Sequence, residues 1–123
     1  MSERVLIDIK EGIAQVRLNR EDKLNALDPE LLYCLIEAAE TLSNTEGLRA
    51  VVLSGEGRSF CAGLDFASFA SIAQNGGKMP FDPFGRVENN PGNMVQRTGY
   101  DWHRLPVPVI AAIKGHCFGG GLQ

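Results

Sequence analysis

The segments VVLSGEGRSFCAGLD (residues 51–65) and PVPVIAAIKGHCFGGG (residues 106–121) share one pattern, a short apolar run followed by a glycine-containing turn. Apolar runs of this length are typical of strands covered on both faces of a parallel sheet. Ligands bind at the carboxyl ends of such strands, and glycines there let the backbone approach a ligand and present its N–H groups. The two segments therefore predict two turns, on adjacent strands, that can aim two N–H donors at one oxygen atom.

Each turn, taken alone, is weak evidence for a binding site. Most glycine-rich connections between a strand and a helix are only turns, and a single run of three glycines has little specificity. The phosphate-binding motifs G-x-G-x-x-G and G-x-x-x-x-G-K-[ST] occur nowhere in the chain. The two segments therefore indicate a binding site only in combination with the sequence around them.

Toward the amino terminus, the pattern predicts a β-hairpin and then a helix. Residues 5–18 form two runs of alternating apolar and polar residues around a glycine-containing turn. Asp28 and Pro29 fit the cap and first position of a helix, and an apolar stripe at three- and four-residue spacing continues to Leu42. Hairpin, helix, two buried strands and an irregular segment predict one α/β domain over residues 1–123.

The region between the two strands carries most of the irregularity of the chain. Residues 74–93 are crowded with glycine, asparagine and proline, Pro80 among them, and they predict a long flexible loop or insertion. A short helix is expected over residues 94–103, where Tyr100 and Trp102 are interpreted as packing residues.

Composition excludes some classes of function. The net charge is -3 and the twelve basic residues are scattered, which argues against a nucleic-acid-binding face built from clustered Lys and Arg. Cys34, Cys61 and Cys117 have no metal-ligand spacing, so no metal site is predicted, and an odd number of cysteines fits a reducing compartment. His103 and His116 have no partner at catalytic spacing and are interpreted as structural or solvated.

The amino terminus, which begins Met1-Ser2, lacks the apolar core of a signal peptide. No apolar run approaches the ~20 residues that a membrane-spanning helix needs. A cytoplasmic protein without membrane association is therefore expected.

Three motifs in order make the chain resemble the enoyl-CoA hydratase/isomerase (crotonase) superfamily. They are LNR…KLNAL (residues 18–27), VVLSG…FCAGLD (residues 51–65) and PVIAAIKG…GGG (residues 108–121). The resemblance implies an α/β fold of the ClpP/crotonase type, a spiral of ββα units. It also implies a homotrimer or hexamer that acts on acyl-CoA thioesters in fatty acid metabolism, as a lyase or an isomerase. No cofactor is implied, because CoA is part of the substrate.

The resemblance also implies site residues. In the family, two backbone N–H groups form an oxyanion hole that polarises the thioester carbonyl and holds the enolate; by motif position they belong here to Leu64 and Gly120. The positions that would bind the CoA part of the substrate are Lys23, Leu24, Ala26, Ala62 and Asp65. Two of these have simple alternatives: Lys23 as a solvated loop lysine, and Asp65 as the cap of a following helix.

Gln123 departs from the pattern of the family. Hydratases of this family carry a glutamate two residues after the three glycines, as general acid and base for a water molecule. A carboxamide can orient water or substrate but does not exchange protons near neutral pH. The sequence therefore argues against hydration by a pair of glutamates, and other members of the superfamily catalyse isomerisation, decarboxylation, dehalogenation or hydrolysis.

Domains of the family continue well beyond the position of Gln123, through more sheet, a second acidic residue and oligomerisation helices. The resemblance thus implies an N-terminal portion, incomplete at the C-terminus, and little turnover is expected from residues 1–123 alone. Two other functions stay open: a catalytically silent relative that binds CoA, and an assembly module. Nucleic-acid binding, known for an unusual relative, is disfavoured by the charge.

Overall fold

Residues 3–79 and 81–123 are described by a computed structural model of the chain. Met1, Ser2 and Pro80 lie outside the described residues, and so do the parts of the predictions that concern them.

The centre of the fold is a mixed four-stranded sheet with the order β1-β2-β3-β4. Strands β1 (Val5–Lys10) and β2 (Ile13–Leu18) form the predicted antiparallel hairpin. Strand β3 (Ala50–Gly55) lies parallel to β2, and β4 (Val109–Ala111) lies parallel to β3. The carboxyl ends of three strands therefore meet at one edge of the sheet.

Helix α1 (Pro29–Ser43) covers one face of this sheet and begins where the sequence predicts. The Asp28 carboxylate accepts a hydrogen bond of 2.8 Å from the Leu31 N–H, which satisfies one of the free donors of the first turn. The apolar stripe of α1 is buried against the hairpin, where each large aliphatic side chain contributes roughly 2 kcal/mol by leaving water. The largest fully buried side chains include Leu31, Leu32, Leu42, Val16 and Val51.

The prediction of a second strand buried on both faces is wrong. The strand covers only Val109–Ala111, with one flanking hydrogen bond to β3 at Pro108 and one at Ala112, and Ile110 and Ile113 are each 55% exposed. Pro106 and Pro108 have no N–H to donate to a ladder, which limits how far pairing extends toward the amino end. The strand also has only one paired neighbour among the described residues, so its outer side is open.

Two further helices flank the irregular segment. Helix α2 (Phe66–Gln74) follows the first glycine-containing turn, and α3 (Met94–His103) has the predicted bounds. Asn93 and Gln96 start α3 with a reciprocal capping box, in which each side chain accepts from the backbone N–H of the other residue. Trp102 is buried, as expected of a packing residue, whereas Tyr100 is 39% exposed.

An ion-pair network, buried at Arg97 and Asp101 but exposed at Glu40, attaches α3 to α1. The Arg97 guanidinium donates to Asp101 at 2.9 Å and to Glu40 on α1, and the Asn90 amide donates to Asp101 at 2.8 Å. Burial alone would lower the pKa of Arg97, but the two carboxylates raise it above its ordinary value. The described residues of 75–93 form neither helix nor strand, yet Asn90 ties this segment to α3. That residues 74–93 are flexible stays a prediction.

No helix among the described residues has both the length and the apolar composition needed to cross a bilayer. In the same part of the chain, no group of three or more His, Cys, Asp or Glu side chains is placed to hold a metal ion.

Candidate functional site

Residues 20–27 (the loop) and residues 59–65 (the first turn) lie side by side at the carboxyl edge of the sheet. The Ala62 N–H donates to the Leu24 carbonyl at 3.0 Å. The Leu27 N–H donates to the Gly63 carbonyl at 2.7 Å, and its own carbonyl accepts from the Asp65 N–H at 3.0 Å. The structure therefore brings together all five residues that the resemblance assigns to CoA: Lys23, Leu24, Ala26, Ala62 and Asp65.

Arg20 connects the loop and the first turn through its side chain, a role that the sequence did not reveal. The side chain is 8% exposed, and Nη1 donates at 2.8 Å both to the Ala26 carbonyl and to Asp65 Oδ2. Nη2 lies 3.6 Å from the Asp28 carboxylate. In the sequence, only its place in the LNR motif distinguished Arg20 from other loop arginines. Because Asp28 and Asp65 are helix caps, Arg20 joins the starts of α1 and α2.

Asn25 holds the same region from within. Its side chain is fully buried; Oδ1 accepts from the Arg20 N–H at 2.8 Å, and Nδ2 donates to the carbonyls of Ser59 at 2.8 Å and Glu56 at 3.0 Å. Leu24 and Asn25 both have positive φ, at 52° and 55°. Asparagine tolerates this conformation, but it is uncommon for leucine, so these contacts hold the loop in a strained shape.

Asp65 is a helix cap, as one of the two sequence interpretations proposed. Its carboxylate accepts from the Ser68 hydroxyl at 2.7 Å and from the Ser68 N–H at 3.2 Å, and pairs with Arg20. The hydrogen bond from the Ser68 hydroxyl and the Arg20 cation lower the pKa of Asp65 to about 2, against a smaller opposing effect of burial. Asp65 and the exposed Lys23 line a shallow hollow of about 560 Å³.

The second turn, residues 115–121, is bonded directly to the first. The Cys61 N–H donates to the His116 carbonyl at 3.0 Å, and the Phe118 N–H donates to the Cys61 carbonyl at 3.1 Å. Cys61 and Cys117 are thus partners in a short parallel bridge. Burial raises the pKa of Cys61, partly offset by a hydrogen bond at Gly63, so the thiol stays protonated at neutral pH.

Gly63 allows this close approach. Its φ is +89°, and a Cβ at this position would lie 3.0 Å from the Phe118 carbonyl oxygen. A Cβ on Gly119 would lie 3.8 Å from the Cα of Gly63, so the two turns touch at their glycines. A side chain at residue 63 would push the turns apart.

Leu64 presents a main-chain N–H that makes no hydrogen bond among the described residues. No peptide bond described is cis, so the Leu64 N–H points opposite to the Gly63 carbonyl. That carbonyl faces Leu27, and the Leu64 N–H is therefore directed away from the loop.

Gly120 has a second N–H that is unpaired in the part of the chain described. It lies in a short 3-10 helix, Gly119–Gly121. The Gly119 carbonyl accepts from the Leu122 N–H at 3.0 Å, so the Gly120 N–H points the other way.

A cavity of about 410 Å³ lies beside the second turn. Its wall includes Gly120 and Gln123 together with Trp102 of α3 and apolar side chains of the sheet. Leu64 is not part of this wall. The structure thus places Gln123 and Gly120 on the wall of the same cavity.

His116, interpreted from the sequence as structural or solvated, contacts a distant side chain in the fold. Its Nδ1 lies 3.0 Å from the hydroxyl of Ser59, 57 residues earlier. Such a pair leaves no local pattern in a sequence, because only the contact between the two turns creates it.

Comparison with known proteins agrees with the three motifs. The family model described as enoyl-CoA hydratase/isomerase matches residues 8–123. The chain is 36% identical to the mitochondrial Delta(3,5)-Delta(2,4)-dienoyl-CoA isomerase of Rattus norvegicus, over 90% of this chain and 34% of that protein. It is 32% identical to the hydroxycinnamoyl-CoA hydratase-lyase of Pseudomonas fluorescens, over 97% of this chain and 41% of the relative.

Solved structures give the same result for the fold. A structure from Pseudomonas aeruginosa superposes with a TM-score of 0.78 at 32% identity, covering 99% of this chain and 49% of the other. An enoyl-CoA hydratase/isomerase family member superposes with a TM-score of 0.74 at 27% identity, covering 96% and 42%. The chain spans less than half the length of each of these relatives. It belongs to the enoyl-CoA hydratase/isomerase (crotonase) superfamily and has the α/β fold of that family.

Proposed function

We propose that the chain binds acyl-CoA thioesters and that the N–H groups of Leu64 and Gly120 together stabilise the enolate of the thioester. The observation that carries this proposal is a pair of main-chain donors, unpaired among the described residues, on two turns that are hydrogen-bonded to each other. The names of the two relatives add support, since each protein is named for a reaction of a CoA ester.

The chemistry follows from how charge develops. Removal of a proton next to a thioester carbonyl, or addition to a conjugated double bond, moves negative charge onto the carbonyl oxygen. A preorganised donor aimed at that oxygen is worth roughly 3 kcal/mol of barrier. Backbone donors also explain why an inert side chain occupies position 64, because only its N–H takes part.

The CoA part of the substrate would lie along the loop and the first turn. Lys23 is exposed beside Asp65 and can pair with a diphosphate, while Leu24, Ala26 and Ala62 offer small or apolar contact surface. Asp65 is already held by Arg20 and Ser68. We therefore propose that it stabilises the conformation of this surface in addition to contacting CoA.

Gln123 limits which reaction we propose. It lines the same cavity as Gly120 but carries no titratable proton. We therefore propose an enolate reaction whose proton-transfer group is not residue 123, such as an isomerisation. The second candidate, favoured by the same carboxamide, is CoA-ester binding without turnover. Assembly as a trimer or hexamer and a cytoplasmic location stay predictions.

The direct test is a titration of the ¹⁵N-labelled chain followed by NMR. Butyryl-CoA is compared with S-butyl-CoA, a thioether in which a methylene replaces the carbonyl. Both ligands should shift the amide signals of residues 23–26 and 62–65. Only the thioester should add a downfield shift at the Leu64 and Gly120 amide protons, because only it carries an oxygen to accept their hydrogen bonds.

Two variants at position 64 sharpen the test. Leu64→Pro removes the N–H, whereas Leu64→Ala keeps it and serves as the matched control. We expect the proline variant to lose about fivefold in affinity for the thioester, the value of one hydrogen bond, with no change for the thioether. Equal shifts from butyryl-CoA and S-butyl-CoA at the Leu64 and Gly120 amides would contradict the proposed oxyanion hole. They would not contradict the proposal that the chain binds CoA.

A further inference from the structure

Ser59 lies at the start of the first turn and is almost completely buried, with 1% of its surface exposed. Its Oγ accepts a hydrogen bond from the His116 backbone N–H at 3.2 Å and lies 3.0 Å from Nδ1 of the His116 ring. Since the hydroxyl oxygen already accepts from the backbone, its own proton is available to Nδ1 of a neutral imidazole. One hydroxyl group therefore contacts both the backbone and the side chain of His116.

The surroundings of this contact leave the second turn little freedom. Gly115 has φ +58°, and a Cβ there would lie 2.3 Å from the Arg58 carbonyl oxygen and 2.7 Å from Ser59 Oγ. On the other side, the His116 ring meets the Phe118 ring edge to face, with centroids 5.1 Å apart. The turn is thus fixed to Ser59 just before it reaches Gly119 and Gly120.

A serine next to a histidine can also be a nucleophile with its base, but the geometry here argues against that role. Ser59 Oγ is buried and occupied by two groups of His116, so a substrate carbonyl cannot reach it. Among the described residues, no carboxylate makes a hydrogen bond to the His116 ring that would orient it as a base. The pair holds structure and does not attack a substrate.

We propose that Ser59 and His116 are positioning residues for the oxyanion hole: their hydrogen bonds hold the second turn so that the Gly120 N–H stays in place. This inference rests on the proposed function of Gly120. Ser59 and His116 would position only the Gly120 N–H. The Leu64 N–H is held separately, by the hydrogen bonds of Gly63 and Asp65 with Leu27.

The first test needs no ligand. The amides of Phe118 and Gly121 donate to Cys61 and Phe118 carbonyls, so their hydrogen exchange reports opening of the second turn. Ser59→Ala should speed exchange at these amides about fivefold, the ratio that one lost hydrogen bond corresponds to. Exchange in the β2–β3 ladder should not change. Ser43→Ala, which removes an exposed hydroxyl bonded to the Glu40 carbonyl, is the matched control and should leave all of these rates unchanged.

His116 variants provide a rescue that does not depend on Ser59. Asparagine places a hydrogen-bonding atom where Nδ1 lies, whereas leucine has a similar shape but no such atom. His116→Asn should keep the slow exchange of Phe118 and Gly121, and His116→Leu should lose it. In the unmodified chain, the ¹⁵N shifts of the ring should show a proton on Nε2, with Nδ1 as acceptor.

The second test uses butyryl-CoA. Ser59→Ala should abolish the carbonyl-dependent shift at the Gly120 amide and retain the shift at Leu64. Unchanged exchange in Ser59→Ala, or equal behaviour of His116→Asn and His116→Leu, would overturn the proposal. If Ser59→Ala does not fold, the two His116 variants decide the question. Absence of a carbonyl-dependent shift in the unmodified chain would instead reject the function proposed for Gly120, while the exchange rates would still report on the pair.

Discussion

In the proposed site, single residues would act mainly through their backbone. Leu64 and Gly120 present N–H groups, and the Leu24 carbonyl accepts from the Ala62 N–H. Gly63 has no side chain, which lets the two turns approach each other. The side chains that matter are those that hold this backbone in place, above all Arg20 and Asn25. A search for reactive side chains alone would therefore overlook the site.

Gly63→Ala tests this interpretation at the residue scale. The added Cβ would strain a backbone at φ +89° and press on the Phe118 carbonyl at 3.0 Å. We expect a loss of about 2 kcal/mol in unfolding free energy, measured by urea denaturation, of which roughly 1 kcal/mol is backbone strain. The carbonyl-dependent NMR shift at Gly120 should also disappear.

Gly76→Ala is the control for the backbone contribution. Gly76 has φ +91°, but a Cβ added there would have nothing within 4 Å, so only the strain of about 1 kcal/mol is expected. Equal destabilisation by the two substitutions would show that contact between the turns adds nothing at Gly63.

At the scale of elements, the site is built from the ends of helices and strands. Asp28 begins α1, Asp65 begins α2, and Arg20 pairs with both caps. Helix α1, the hairpin and α3 could be predicted because their signals are local: a cap, a periodicity and a turn within a few residues of one another. Strand β4 was mispredicted because burial depends on which elements pack against a strand, and an apolar run does not contain that information.

The pH dependence of Asp65 provides an element-scale prediction. Its folded pKa of about 2 lies below the ordinary value of 3.8, so its charge stabilises the fold above about pH 4, and this contribution is lost as the pH falls toward 2. Asp65→Asn should therefore cost about 2 kcal/mol at pH 6, with the difference from the unmodified chain shrinking to near zero at about pH 2.

Urea titrations at several pH values measure this difference. Asp8→Asn, at a carboxylate whose side chain is 70% exposed and pairs with Arg17, should change stability little at any pH. A cost of Asp65→Asn that does not vary across this pH range would contradict the assignment of the stabilisation to the carboxylate charge.

At the scale of the whole molecule, the Arg97 network joins α3 to α1. Arg97→Met removes the cation and leaves the Asp101 carboxylate buried beside Asn90 alone. We expect a loss of roughly 3 kcal/mol in unfolding free energy, the usual cost of breaking a buried pair on one side. If the molecule unfolds as one unit, the urea midpoint should fall with an unchanged m-value.

Arg86→Met provides the comparison for this change. Arg86 is exposed, so its substitution should alter stability by less than about 0.5 kcal/mol. A reduced m-value in Arg97→Met, with near-normal stability of the hairpin, would mean that α3 separates independently of the sheet.

The sequence by itself determined the hairpin, the bounds of α1 and α3, the family, and the two turns at the carboxyl ends of strands. These features depend on neighbours within a few residues or on motifs whose order is visible in the chain. Only the tertiary structure decided that Arg20 joins two helix caps and that Ser59 meets His116 across 57 residues. It also decided that β4 is open on one side among the described residues, and which backbone N–H groups of these residues stay unpaired. Each of these depends on contacts between segments far apart in the chain, and such contacts are set by how the elements pack.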